Sequence, residues 1–417
     1  MRFTLFLVLL TRVASVGSVA DDVYGGEDWT GWLGPGRDGK VVDVAPPDPW
    51  PEALELGWEV EVGEGYATPL VQGGRVFQHA RQGDDEVVLC LERATGKEVW
   101  RQAFPIPFKI GGGGEAHGKG PKSNPMLDAG RLFTLSIDGT LTGWDANTGA
   151  KLWVRDSSEF GAKTPYWGAT TSPIAADGKV FVRLGNDESG RLIAFDAASG
   201  EEVWSQGDDG AAYASPLIAT IDGERQIVEW NHRALAGVEI ETGRLLWEFP
   251  LPHLGTNQNM PTPSVHRGRV LVGGENRGVF GLQPQKSEDG WDVAVSWHQR
   301  DVALDMSSAV VTGDRLFGFS HYDTGRLFCL DVASGEVKWE GPPRTGQNAT
   351  FLTVAEYVLA LINDGRLRVL KATDESYQQV AEYRVADSPT WAAPVLLRSG
   401  LLIKSKQKLT FWKFPIR

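Results

Sequence analysis

Cysteine is scarce in this chain, with only Cys90 and Cys329 among 417 residues, so a disulfide framework cannot hold the fold together. The two cysteines occupy equivalent positions in two copies of one repeat. Equivalent positions in separate copies do not meet. We therefore predict two unpaired thiols that pack as small apolar residues.

Positive charge is also in deficit. Lys and Arg number 41 against 54 Asp and Glu, which gives a formal net charge of −13 at pH 7. Proteins that bind nucleic acids contact the phosphates with clustered Lys and Arg side chains. The acidic balance therefore argues against a nucleic-acid partner.

Long apolar runs are missing except at the start of the chain. Arg2 precedes an apolar run over residues 3–10, and small residues follow up to Ala20. This order is typical of a secretory signal peptide, and the run is shorter than the roughly 20 residues of a membrane-spanning helix. We predict cleavage after Ala20 and a periplasmic or secreted protein without a transmembrane segment. Removing Arg2 and Arg12, and no acidic residue, changes the net charge from −13 to −15.

The short motifs of common catalytic sites are missing as well. The sequence has no His-Glu-x-x-His zinc motif, no Gly-x-Ser-x-Gly nucleophile turn and no acidic calcium-binding loop. Residues 113–119 approach a phosphate-binding loop, but Gly120 stands where Ser or Thr would bind magnesium. We therefore predict neither catalytic residues nor metal ligands.

Glycine and tryptophan, in contrast, are abundant, at 50 and 16 residues. Many glycine turns combined with large aromatic rings favour short strands that pack against one another. One phrase recurs: an apolar strand ends in a Thr-Gly or Ser-Gly turn, and a Trp follows after three further residues. The copies place Gly and Trp at 96 and 100, 149 and 153, 200 and 204, 243 and 247, and 335 and 339, with degenerate copies closing at Trp297 and Tyr383.

A second phrase precedes each hairpin: a small residue, Pro, an apolar strand, Gly and another apolar strand. These starts lie at positions 69, 125, 173, 216, 263, 309, 352 and 394, of which 309 and 352 lack the proline. Each unit thus holds four strands, like one blade of a β-propeller. The eighth closing aromatic is Trp58, so the strand over residues 56–60 should complete the last blade. We predict an all-β, eight-bladed propeller of four-stranded antiparallel blades, closed by this N-terminal strand; a seven-bladed ring, a sandwich and a solenoid are the alternatives.

Three stretches carry a resemblance to a known family: residues 29–39, residues 160–168 and residues 377–383. With these stretches the chain resembles the pyrroloquinoline-quinone-like (PQQ-like) propeller repeat family. It is most similar to secreted, PQQ-binding-like propeller proteins of planctomycete type, and more distantly to outer-membrane assembly factors of the BamB type. The resemblance implies eight blades and does not imply catalysis. We expect a signal peptide over residues 1–20, an N-terminal extension over 21–53 and the propeller over 54–417.

The resemblance also raises an enzymatic alternative, a PQQ-dependent quinoprotein dehydrogenase acting on an alcohol or sugar with PQQ and calcium. Such enzymes typically add two adjacent cysteines beside the cofactor and carboxylates that hold calcium. No adjacent cysteines occur here. We therefore favour an exported, non-catalytic binding or scaffold protein of the cell envelope that needs no cofactor.

The candidate site lies in the loops that lead from each closing aromatic to the next strand start. These loops vary in length and share one face of the ring, which is where repeat proteins usually bind. The candidate ligand-binding residues are Tyr66, His117, Lys163, Tyr166, Trp167, Tyr213, Met306, Asn348 and Trp391. The competing interpretation is that these side chains only cover the channel.

The two longest loops, residues 101–124 and 156–172, predict a basic and aromatic wall beside the channel. They carry Lys109, His117, Lys119 and Lys122, and Lys163, Tyr166 and Trp167. Such a wall suits a small planar or anionic ligand through stacking and ion pairing. The other expected partner is an exported or envelope protein, bound by a monomer.

Overall fold

The computed structural model describes residues 27–112, 114–160, 165–255 and 258–415. The predicted signal peptide, residues 1–20, lies outside the described residues. The helices of the described residues are three short 3-10 turns, Glu115–His117, Ser157–Phe160 and Tyr322–Thr324. In this part of the chain, none of the helices has the length and apolar character to cross a membrane.

The strands form eight sheets, each with four antiparallel strands, as the repeat predicts, and one sheet gains a fifth strand. The first strands of neighbouring blades contact one another, so each blade begins at the channel and runs outward. Blade 1 comprises β3 (Leu70–Gln72), β4 (Arg75–Gln82), β5 (Asp85–Glu92) and β6 (Glu98–Pro105), and blade 2 comprises β7 (Met126–Asp128), β8 (Arg131–Leu135), β9 (Leu141–Asp145) and β10 (Lys151–Arg155). Blade 3 comprises β11 (Ile174–Ala176), β12 (Lys179–Gly185), β13 (Gly190–Asp196) and β14 (Glu202–Gln206), and blade 4 comprises β15 (Leu217–Ile221), β16 (Glu224–Trp230), β17 (Ala234–Glu239) and β18 (Leu245–Pro250).

The remaining blades continue the series, and the last two take up strands from the start of the chain. Blades 5 and 6 comprise β19 (Ser264–His266), β20 (Arg269–Gly274), β21 (Gly278–Ser287) and β22 (Gly290–Gln299); β23 (Val310–Thr312), β24 (Arg315–Ser320), β25 (Arg326–Asp331) and β26 (Val337–Glu340). Blade 7 comprises β27 (Ala349–Val354), β28 (Tyr357–Ile362), β29 (Arg366–Lys371) and β30 (Gln379–Arg384), with β1 (Lys40–Val41) beside β27; blade 8 comprises β31 (Val395–Leu397), β32 (Gly400–Lys404), β33 (Lys408–Lys413) and β2 (Glu55–Glu61).

Ring closure by the N-terminal strand is confirmed. β2 pairs antiparallel with β33, with Trp58 opposite Phe411 and Glu59 opposite Thr410. The outer strand of the last blade therefore comes from the start of the chain, so both ends of the sequence share one sheet. β1, which pairs parallel with β27 through Lys40 and Thr353, is an addition that the repeat does not predict.

The repeated Gly and Trp meet across the seams between blades. The Trp100 indole nitrogen donates to the Ala146 carbonyl of the next blade at 3.2 Å. A Cβ on Gly149 would lie 2.7 Å from the Trp100 ring, and Gly149 has a φ of +73°, so the turn favours glycine twice over. Trp58, Trp153, Trp204, Trp297 and Trp339 donate to the turn of the following blade in the same way.

The apolar core is distributed between neighbouring blades. Leu70, Phe77 and Cys90 of blade 1 pack with Leu132 and Trp144 of blade 2 in one buried cluster. Cys90 and Cys329 are both free and buried, one in blade 1 and the other in blade 6, as their equivalent positions predict.

Candidate functional site

The loops between blades converge on a cavity of about 540 Å³ at one end of the central channel. Each of the eight blades contributes at least one lining residue, and most of these residues lie just before an inner strand. Of the predicted candidates, the following line it: Tyr66, His117, Trp167, Tyr213, Met306, Asn348 and Trp391.

One described candidate, Tyr166, is not part of this cavity. Tyr166 is 56% exposed and borders a separate, shallow depression with the loop over residues 108–112. Its hydroxyl accepts a hydrogen bond from the Gly112 amide at 2.9 Å, so the ring braces that loop. Lys163 lies outside the described residues.

One aromatic group joins the loops of blades 8, 1 and 2. The rings of Tyr66 and Trp391 stack with their centroids 5.4 Å apart, and His117 meets the Trp391 ring edge-on at 5.0 Å. The Tyr66 hydroxyl hydrogen-bonds to His117 Nδ1 at 2.9 Å. Burial, with a smaller contribution from the Lys122 charge, lowers the pKa of His117, so the imidazole is neutral near pH 7.

A second aromatic group joins the loops of blades 3 and 4. The Trp167 and Tyr213 rings lie 5.7 Å apart, and the Trp167 amide donates to the Tyr213 hydroxyl at 3.3 Å. Lys122 Nζ donates to the Trp167 carbonyl at 2.8 Å and ties this group to blade 2. Burial lowers the pKa of Lys122 to about 8.

The opposite side of the cavity is acidic, which the sequence analysis missed. Glu275 lies in the turn between β20 and β21, and Asp305 lies in the loop before β23. Burial, together with the negative charge of Glu275, raises the pKa of Asp305 to about 6. Lys122 is the one Lys or Arg among the described residues that line the cavity.

The floor of the cavity comes from the N-terminal segment, residues 29–41. Trp29 pairs with Val71 of blade 1 at one end of this segment, and Gly39 accepts from the Thr353 amide of blade 7 at the other. Between them, Trp32 and Leu33 line the cavity. The segment therefore crosses the channel and closes it. These residues carry the family resemblance, and their density of Trp, Gly and Pro outside the repeat is the signal in the sequence that could have indicated a special role.

Arg37 anchors this floor. Its guanidinium donates to the carbonyls of Ser172 at 3.1 and 3.2 Å and of Pro216 at 2.5 Å, and also to that of Pro173. The side chain is 4% exposed, and burial lowers its pKa to about 9. Below the segment lies a second cavity of about 290 Å³, partly lined by Arg37 itself.

The small polar residues before the inner strands form hydrogen bonds from blade to blade around the cavity wall. The amides of Asn124, Ser172 and Thr262 donate to the hydroxyls of Ser172, Ser215 and Ser308 at 2.9 to 3.0 Å. The Thr262 hydroxyl accepts in turn from the Trp32 indole at 2.9 Å, which joins floor to wall. A cavity braced in this way is preorganised for a ligand.

Within the described residues, no group of three or more His, Cys, Asp or Glu side chains is placed to hold a metal ion. Cys90 and Cys329 lie in the apolar clusters of their blades rather than in the cavity wall.

Comparison with known proteins gives consistent matches. A family model described as outer membrane protein assembly factor BamB matches residues 84–341. The assembly factor of that name from Shewanella oneidensis is 24% identical over 58% of this chain and 61% of its own length. The one from Yersinia pestis is 24% identical over 69% of this chain and 72% of its own length. Another relative, the serine/threonine-protein kinase AfsK of Streptomyces griseus, is 28% identical over 40% of this chain. The match spans only 20% of the length of that kinase.

Solved structures share the fold. BamB from Moraxella catarrhalis superposes with a TM-score of 0.62 at 17% identity, over 87% of this chain and 100% of that one. The quinohemoprotein alcohol dehydrogenase from Comamonas testosteroni superposes with a TM-score of 0.70 at 14% identity, over 94% and 81%. At these identities the likeness concerns the fold alone.

Proposed function

Since the chain belongs to the family of the outer membrane protein assembly factor BamB, we propose that it is an exported, non-catalytic binding protein of the cell envelope. The observation that carries this proposal is the cavity at the channel mouth, which eight loops surround and the N-terminal segment closes. Its volume of about 540 Å³ lies in the range of ligand sites, and aromatic rings line much of it.

Two further observations support the location in the envelope. Residues 1–20 have the order of a signal peptide, and the relatives from Shewanella oneidensis and Yersinia pestis are assembly factors for outer membrane proteins. We propose that the partner is an exported protein or a small molecule, held by the two aromatic groups around Trp391 and Trp167.

A PQQ-dependent dehydrogenase is the second candidate, because a quinohemoprotein alcohol dehydrogenase shares the propeller fold. PQQ is a planar quinone that carries carboxylates, so its site needs cationic donors. The cavity offers Lys122, already donating to a backbone carbonyl, against the carboxylates of Glu275 and Asp305. The described residues therefore fit this cofactor poorly.

The experiment that separates the two candidates adds PQQ and calcium chloride to the purified protein. We expect no bound-cofactor absorbance and no dye reduction with alcohols or sugars. Envelope extract is then passed over wild-type protein and over the double variant Trp167→Ala, Trp391→Ala. A specific partner should be retained by the wild type and lost by the double variant.

Trp291→Ala is the matched control, because this partly exposed Trp lies on β22, away from the cavity. It should retain the partner as the wild type does. Dye reduction that depends on PQQ, or equal retention by the wild type and the cavity variant, would overturn the proposal.

A further inference from the structure

The lining of the cavity is asymmetric around the ring. Aromatic side chains come from six consecutive blades: Phe351 from blade 7, Trp391 from blade 8, Tyr66 from blade 1, His117 from blade 2, Trp167 from blade 3 and Tyr213 from blade 4. Blades 5 and 6 bring the carboxylates instead. A ligand that fills the cavity therefore meets ring faces on one side and negative charge on the other.

The Asp305 carboxylate is in an unfavourable setting for a negative charge. Two effects oppose its ionisation, burial and the neighbouring Glu275, and both raise its pKa. Among the described residues, neither a hydrogen bond nor a cation contributes to that pKa in the other direction. Asp305 is partly buried, and a carboxylate withdrawn from water normally has such a partner, so a bound cation would supply what the protein does not.

The basic residues of the cavity do not fill this role. Lys122 is held at the aromatic side by its hydrogen bond to the Trp167 carbonyl, and His117 is bound to the Tyr66 hydroxyl. Neither contributes to the pKa of Asp305. Among the described residues, no cation is therefore placed to pair with Asp305 when it is ionised.

Aromatic faces attract cations as well as planar rings. The π electrons of Trp and Tyr make their faces negative, and an ammonium group over such a face is stabilised most where water is excluded. The aromatic rings and the two carboxylates thus favour the same sign of charge. The sequence alone, through the lysines of the two long loops, favours an anionic ligand instead.

We propose that the cavity selects an organic amine, whose planar body stacks on the rings around Trp391 and Trp167 and whose ammonium group pairs with Asp305 and Glu275. The inference rests on the proposed function, since it names the ligand class of the same cavity. Binding is non-covalent and requires no further reactant.

The pH dependence follows from the groups that face the ammonium. The Glu275 charge acts on the pKa of Asp305, and it also acts on the pKa values of His321 and Arg277. Tyr66, His117, Lys122 and Tyr213 face the cavity from the other blades. As the pH falls through about 6, protonation of Asp305 removes the charge that holds the amine, so amine affinity should decline.

The test uses three indoles of matched shape: tryptamine, which is cationic, tryptophol, which is neutral, and indole-3-propionate, which is anionic. Isothermal titration calorimetry of the full mature protein near neutral pH should show tryptamine binding about tenfold or more tighter than tryptophol. Indole-3-propionate should bind more weakly than either. Equal affinity for all three, a preference for the propionate, or no binding of tryptamine would each overturn the amine inference.

Asp305→Asn tests the role of the carboxylate. This variant should reduce tryptamine affinity to about that of tryptophol, leave tryptophol binding unchanged and abolish the pH dependence near 6. Asp301→Asn is the matched control, because Asp301 lies four residues earlier in the same loop and is exposed. Unchanged tryptamine binding in Asp305→Asn would contradict the pairing. The retention experiment with envelope extract is independent of these titrations, so the binding function can stand where the amine inference fails.

Discussion

Arg37 is a buried cation that pairs with backbone carbonyls instead of a carboxylate. Its guanidinium reaches the ends of the inner strands of blades 3 and 4, where the carbonyls of Ser172, Pro173 and Pro216 point into the channel. Several planar donors on one side chain suit this arrangement, which a lysine could not match. The side chain thus connects the N-terminal segment to two blades at once.

Replacing Arg37 with Met should lower the free energy of unfolding by about 2–3 kcal/mol, because the buried carbonyls lose charged donors. Chemical denaturation monitored by tryptophan fluorescence would measure the change. Lys40→Met is the control, since Lys40 forms an exposed ion pair with Asp38 and should change stability by less than about 0.5 kcal/mol. Equal stability of both variants would mean that water replaces the guanidinium at no cost.

Individual site residues were predictable where they follow the repeat and not elsewhere. Tyr66 and Trp391 were found because each stands just before an inner strand, at a position that faces the channel in every blade. Glu275 was not predicted as a site residue, because it lies in a turn inside blade 5, outside the variable loops. Asp305 adjoins the candidate Met306, but only the fold reveals that it is partly buried beside a second carboxylate.

Elements were more predictable than residues, because the repeat specifies them eight times. The small residue and the proline stand directly before the inner strands, as in β3 and β7. Proline has no backbone N–H to donate to a neighbouring strand, so the strand begins at the next residue. Of the two starts that lack the proline, only one moves: β27 begins at Ala349, three residues before the start expected at 352, whereas β23 begins at Val310, directly after the start expected at 309. β1 has only two residues and lies outside the repeat, so no periodic signal marked it.

The strand β2 should contribute most of the free energy that closes the ring. Deleting residues 21–62 should destabilise the protein by several kcal/mol more than deleting residues 21–41, which leaves β2 in place. Burial of Trp58 alone is worth about 1.5–3 kcal/mol, and its indole also donates to the Arg93 carbonyl at 3.0 Å. Thermal unfolding of the two variants measures the difference. Equal melting temperatures would contradict a closing role for β2.

At the scale of the whole molecule, the N-terminal segment divides the channel into two unequal cavities. The upper one, of about 540 Å³, holds the aromatic rings and the carboxylates, and the lower one is about 290 Å³. A propeller with an open channel would expose its ligand to solvent from both ends. The segment instead closes the site on one side, and Glu275 and Asp305 place negative charge in the wall that a ligand meets.

Deleting residues 21–41 should open the channel while the eight blades remain closed, because β2 stays paired with β33. The amides of Val71, Leu127 and Thr353 donate to carbonyls of the deleted segment at 2.7 to 2.9 Å. These three amides should therefore exchange with deuterium much faster than in the intact protein, whereas amides of β4 and β5 that pair within blade 1 should keep their protection. Tryptamine affinity should fall at the same time, since Trp32 and Leu33 no longer line the cavity. Loss of protection throughout every blade would show instead that the segment holds the ring together, and unchanged protection at all three amides would show that other groups cover the inner strands.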